Sequence, residues 1–127
     1  MIKEKSCGAV VYKKEKEKIY FLIEEMKAGH YSIPKGHVEN NETEIETALR
    51  EIKEETNLEV NLDSNFREVV SYSPYEGCIK DVVFFVAKAK SFDMKEQLIE
   101  VTSLKWLEPV DAINILTFDS DKEVLRK

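Results

Sequence analysis

The sequence predicts an α/β fold, an α/β/α sandwich with a mixed central sheet and helices on both faces. Three observations point there. A well-capped amphipathic helix lies around residues 43–57, several short extended segments flank it, and two further helix signals follow Pro109. At 127 residues the chain has room for one domain with a real core and is too short for two.

The elements follow in order. Gly8 to Tyr12 and Ile19 to Glu24 are strand-like and close enough to pair. Between them Lys13, Lys14, Lys16 and Lys18 mix with Glu15 and Glu17 in a hairpin turn, which reads as solvated surface. Thr43 opens the helix, because Thr43-x-x-Glu46 fits a capping box and Glu44 and Glu46 favour the positive end of the helix dipole. Ile45, Ala48, Leu49, Ile52 and Thr56 recur at steps of three and four, a stripe expected to face the core. Asn57 ends the helix, since Asn tolerates the left-handed conformation of that position. Leu58 to Leu62 and part of Phe66 to Tyr72 alternate as strands, and Ser73-Pro74-Tyr75-Glu76-Gly77 is a turn. Val82 to Ala89 reads as a longer buried strand and Leu104 to Leu107 as a short one. Pro109 suits the first position of a helix running to about Leu116, and a third short helix runs from Ser120 onward.

The chemistry sits in the first helix. Arg50-Glu51-Ile52-Lys53-Glu54-Glu55 crowds three carboxylates onto one short segment. Glu51, Glu54 and Glu55 share an arc of roughly 100° beside the apolar stripe. Such carboxylates repel one another unless a cation joins them. Hard divalent ions such as Mg2+ take oxygen ligands of this kind, usually shared with substrate phosphates. Arg50 lies one turn from both Glu46 and Glu54 and can bridge carboxylates. A solvated acidic face is the plain alternative in a chain that is 35% charged. The longer pattern outweighs it: Gly36, five residues, Glu42, seven residues, then Arg-Glu-apolar-x-Glu-Glu and finally Leu58. Average residue usage gives that pattern on the order of once per hundred million start positions.

These residues resemble the Nudix box, the signature of the Nudix hydrolases, over residues 36–58. Gly36, Glu42, Arg50, Glu51, Ile52, Glu54, Glu55 and Leu58 match it. Asn57 departs from a fixed Gly, and Asn41 stands where many members have Gly. Both replacements are Asn, the non-glycine residue best able to hold a positive φ. The resemblance extends along nearly the whole chain. Ser6-Cys7-Gly8-Ala9-Val10-Val11 looks like the first core strand. Tyr31-Ser32-Ile33-Pro34-Lys35-Gly36-His37-Val38-Glu39 and Lys80-Asp81-Val82-Val83-Phe84-Phe85 are similar to segments of the diadenosine tetraphosphate hydrolase branch.

The resemblance implies the Nudix form of the sandwich and a Mg2+-dependent (or Mn2+-dependent) pyrophosphohydrolase. Glu51, Glu54 and Glu55 would hold the ions, with the main-chain carbonyl of Lys35 as a further ligand and Arg50 orienting the glutamates. Glu54 is the first candidate for general base and Glu100 the second. Lys35 and Lys80 offer point charges for outer phosphates, and His37 either joins them or caps its loop. Tyr31, Tyr75 and Phe84 are the candidates to stack on a base, although Phe84 lies in an apolar run that favours the core. Trp106 reads as core. The implied substrate is a bis(5′-nucleosyl)-tetraphosphate, cleaved to ATP and AMP by water attack on phosphorus. Nucleoside triphosphates, nucleotide sugars and RNA 5′ ends are the alternative substrates. A nucleotide-sensing domain without turnover is a third reading, disfavoured because every box carboxylate is present.

Composition narrows the remainder. A net charge of −6 argues against general nucleic-acid binding. No apolar run approaches the length of a membrane span, and the first residues lack the apolar stretch of a signal peptide, so cytoplasm is the default. Cys7 reads as a small core residue and Cys78 as a loop or strand residue, neither with a nucleophile's surroundings. Monomer and homodimer are both compatible with the sequence.

Overall fold

The structure, a computed structural model, describes residues 2–39, 41–90, 101–117 and 119–126. Chain order among these residues is β1 (Ile2–Glu15), β2 (Lys18–Met26), β3 (Tyr31–Ser32), β4 (Lys35–His37) and α1 (Glu44–Thr56). Then come β5 (Val60–Tyr72), β6 (Cys78–Ala89), β7 (Val101–Leu107), α2 (Pro109–Ile115) and α3 (Asp119–Arg126). The sheet runs β3-β2-β1-β6-β5, with β4 also on β1 and β7 also on β2. Strands β1 and β6 pair in parallel and every other pair is antiparallel, so the sheet is mixed.

Alternation along the strands divides the core. Cys7, Ala9 and Val11 of β1 pack with Val83, Phe85 and Ala87 of β6 against Ala48 and Ile52 of α1. Val10, Ile23, Val82 and Phe84 point the other way, against Ala112, Leu116 and Val124 from the α2–α3 side. Among the described residues one helix covers one face and two cover the other, which is the α/β/α sandwich.

Strand β1 changes partner along its length, and this places the site. Its last residues pair with β2, from Tyr12 opposite Phe21 to Glu15 opposite Lys18. Its earlier residues pair with β4, from Ser6 opposite His37 to Gly8 opposite Lys35. The Pro34–Gly36 segment therefore enters where β2 has diverged. A Cβ on Gly8 would overlap the carbonyl oxygen of Pro34, so only glycine admits that crossing.

Several boundaries differ from expectation. The β1–β2 turn consists of Lys16 and Glu17, both at positive φ (51° and 69°), the conformation that matches a two-residue hairpin to strand twist. Of its lysines, Lys13 is not plain solvated surface: its Nζ lies 4.8 Å from the centroid of the Trp106 ring. Trp106 itself is half-buried against the α1-side core. The two alternating segments after α1 are one strand, β5, whose register on β6 shifts between Asp63 and Glu68. No helix among the described residues is long and apolar enough to cross a membrane.

Candidate active site

Helix α1 forms as its capping signals require. Thr43 Oγ1 accepts from the Glu46 N–H at 3.1 Å, and Glu46 Oε1 accepts from the Thr43 N–H at 2.9 Å. Asn57 closes the other end at φ 65°, and Asn41, in the preceding loop, also has φ 65°. Both asparagines thus take the left-handed backbone that glycine would supply.

The buried face of α1 is rotated from the expected stripe. Ile45 and Leu49 are 39% and 38% exposed, whereas Thr47, Ala48, Ile52, Glu55 and Thr56 are buried. Hydrogen bonds make the buried threonines tolerable: Thr47 Oγ1 donates to Glu42 at 3.1 Å and Thr56 Oγ1 to the Ile52 carbonyl at 2.6 Å. The rotation carries Glu55 inward and sets Glu51 at the sheet edge. Gly36 makes room there, because a Cβ at that position would overlap the Glu51 carboxyl group.

Arg50 organises the carboxylates. Its Nε and Nη2 donate to Glu42 at 2.7 and 3.0 Å, and its Nη1 donates to Glu51 at 2.7 Å and Glu54 at 3.1 Å. Nη2 also reaches the His37 carbonyl at 2.9 Å, tying α1 to β4. The expected bridge to Glu54 is present, but the one to Glu46 gives way to the capping box, which engages the Glu46 carboxylate. Glu42 fills the bidentate place instead, and its carboxyl is held at about 2, first by the Arg50 hydrogen bond. The loop delivers it by a turn in which the Glu42 N–H donates to the Glu39 carbonyl at 2.9 Å.

Glu55 lies deeper. Burial pushes its carboxyl far above the ordinary range, and the adjacent Glu24 and Glu51 carboxyls push the same way. Its Oε2 is buried without a hydrogen-bond partner. A divalent cation would supply that partner and relieve the repulsion, so the donor chemistry fits a hard metal ion. The ligand set is not closed as it stands: among the described residues no three His, Cys, Asp or Glu side chains converge on one point. Glu51 and Glu54 are instead turned toward Arg50.

Beside the carboxylates lies a cavity of about 350 Å3, walled by Ser6, Lys35, Gly36, His37, Glu39, Glu51 and Lys80. It unites Lys35, His37 and Lys80 with Glu51. Burial lowers the Lys80 ammonium below its usual value and nearby Lys35 lowers it further. Two cations sharing a partly buried cavity favour an anion between them.

The stacking candidates lie elsewhere. Phe84 is 1% exposed in the core layer under α2 and α3, so no ring face is open to a base, and that reading is corrected. Tyr31 is half-buried on β3, its N–H donating to Thr117 Oγ1 at 2.9 Å. Tyr75 is exposed in the β5–β6 turn. Glu100, the second general-base candidate, lies outside the described residues.

Three polar groups, Glu24, Ser6 and Asp121, and the Glu42–Arg50 pairing escaped the sequence reading of the site. Glu24 is fully buried on β2 and meets Glu55. Its signal was available, since it follows Leu22 on the core-facing side of the strand. Glu42 matched the box, but its pairing with Arg50 spans eight residues through a loop. Ser6 Oγ and Asp121 Oδ2 are buried without hydrogen-bond partners. The Asp121 carboxyl is raised by burial and drawn back by Lys35 and His30, so α3 brings a carboxylate toward the lysine side of the cavity.

The Nudix-domain family model matches residues 3–127. The chain belongs to the Nudix family. It is a Nudix hydrolase, and hydrolases of this family generally work with divalent metal ions. An asymmetrical bis(5′-nucleosyl)-tetraphosphatase of Caenorhabditis elegans is 34% identical, over 97% of this chain and 92% of its own length. The Sus scrofa protein of the same name is 29% identical, over 97% of this chain and 91% of its own length. A crystal structure of a C. elegans Ap4A hydrolase binary complex superposes with a TM-score of 0.87 at 32% identity, covering 97% of this chain and 93% of that one. This Nudix hydrolase therefore has the fold of that Ap4A hydrolase over nearly its full length.

Proposed function

We propose that this Nudix hydrolase cleaves a bis(5′-nucleosyl)-tetraphosphate, Ap4A, to ATP and AMP by water attack on phosphorus, with Mg2+ or Mn2+ as cofactor. The observation that carries the reading is one cavity that joins Glu51 of α1 and Glu39 of the preceding loop with Lys35 and Lys80. That is the distribution of charge a metal-clamped polyphosphate requires. The likeness to asymmetrical tetraphosphatases over nearly the whole chain supports the choice of substrate.

In this reading Glu51, Glu54, Glu55 and the Lys35 carbonyl hold the ions. When bound, divalent cations neutralise phosphate oxygens and acidify water. Arg50 keeps Glu51 and Glu54 in a fixed orientation through Glu42 and the β4 backbone. Lys35 and Lys80 hold outer phosphates, with His37 at the rim. Glu54 is the side chain best placed to accept the proton of the attacking water, because it is the exposed member of the cluster. Glu100 is the second candidate. Tyr75 and Tyr31 are the candidates to meet a base. The two buried free thiols are compatible with a reducing, cytoplasmic setting.

Glu51→Gln and Glu54→Gln should each lower turnover of Ap4A by about 100-fold or more while the fold is retained. Full activity in either variant sinks the metal assignment. Product chromatography in 18O-labelled water, with Ap4A run against ATP, a nucleotide sugar and capped RNA, tests the substrate and the attacked phosphorus. A higher kcat/KM for any of the other three would replace Ap4A.

A further inference from the structure

Glu24 occupies a place where the strand pattern asks for an apolar residue. Leu22 faces the α1-side core and Ile23 the opposite one, so Glu24 returns to the α1 side. Its position on β2 is flanked by Ser32 of β3 and Leu104 of β7, and the residue is 0% exposed. Burying a carboxyl there is costly unless something compensates it.

Across the core layer the Glu24 carboxyl faces that of Glu55, which also meets Glu51. Glu55 is 3% exposed and its Oε2 is buried without a hydrogen-bond partner. A hard divalent cation satisfies it and balances both charges at once. We propose that Glu24 is a fourth carboxylate of the divalent-cation site, supplied by β2 and binding the ion from the core side together with Glu55. The inference rests on the metal-dependent reading above. It adds a carboxylate from β2 to the α1 glutamates and the Lys35 carbonyl of β4, so the sheet grips the ion with a side chain as well as with its backbone.

Mn2+ titration of the full chain, followed by electron paramagnetic resonance and calorimetry, tests this. Glu24→Gln preserves shape and removes the charge, and Glu76→Gln in the β5–β6 turn is the control. Glu24→Gln should weaken the tightest Mn2+ site by about tenfold or more, as loss of a ligand-shell group does, while the control matches wild type. Unchanged stoichiometry and affinity in Glu24→Gln overturns the proposal. Should that variant not fold, crystals of the wild-type protein soaked in Mn2+ decide the matter. An anomalous peak in contact with Glu24 and Glu55 supports the proposal, and a peak with Glu24 turned away overturns it. Loss of Mn2+ in Glu55→Gln but not in Glu24→Gln overturns this inference and leaves the hydrolase reading standing. Wild-type protein that binds no Mn2+ overturns both.

Discussion

Gly36 and Glu51 illustrate how tightly single residues constrain this site. The glutamate carboxyl fills the space a β-carbon would take, so the glycine exists for contact and not for an unusual φ. Gly36→Ala should therefore displace Glu51 from the cavity. Turnover is expected to fall by about 100-fold while the melting temperature changes little, since the overlap involves a side chain able to swing away. Steady-state kinetics and a thermal melt on the same sample check this, and an active Gly36→Ala enzyme would contradict the packing. The glycine's place in the box was visible in the sequence, and its reason was not. The same holds for the asparagines. Their tolerance of positive φ is intrinsic and could be anticipated, and both sit at φ 65°. Glu24 marks the opposite limit. Alternation after Leu22 puts it on the core-facing side of its strand, but the carboxyl it meets there belongs to α1 across the layer.

At the scale of elements, α1 shows which signals are local. Its caps at Thr43 and Asn57 depend on neighbours a few residues away and follow directly from sequence. Its rotation depends on β1, β4 and the loop carrying Glu42, so the apolar stripe misjudged Ile45 and Leu49. Glu44 helps to set that rotation. Its carboxylate accepts from Arg67 Nε and Nη2 of β5, both at 2.9 Å, and pairs with Lys5 of β1. Those partners, Arg67 first, hold its carboxyl at about 2 against an ordinary 4.5. A carboxyl lowered on folding stabilises fully above its unfolded value, and the contribution is lost as pH falls toward the folded one. Wild type should therefore exceed Glu44→Gln in melting temperature at neutral pH, with the gap closing as pH drops from about 4.5 to about 2. A gap that is constant over this range would remove Glu44 from the pinning of α1.

For the whole molecule, the decisive feature is the partner exchange along β1. By pairing with β4 early and β2 late, it opens the sheet where Pro34, Lys35 and Gly36 enter. That split lets one cavity draw on β1, β4, α1 and β6 together. In the proposed reading cation binding is then a property of the folded state, since its ligands come together only when sheet and helix dock. Mg2+ or Mn2+ should raise the melting temperature, by roughly 2.7 kcal/mol in stability at one hundred times the dissociation constant. EDTA should abolish both the rise and Ap4A turnover. Differential scanning fluorimetry across a cation series checks this, and a melting temperature indifferent to divalent ions would count against the metal site as a whole.

The sequence by itself determined the fold class, the helix ends, the turn after β5 and the set of carboxylates, because capping, alternation and box spacing act over a few residues. Tertiary structure alone decided which face of α1 is buried, that Arg50 takes Glu42 and not Glu46, and that Glu24 of β2 meets Glu55 across the core layer. Each of those outcomes depends on contacts between segments far apart in the chain, where the energy of burying or pairing a polar group is set by neighbours that no local pattern contains.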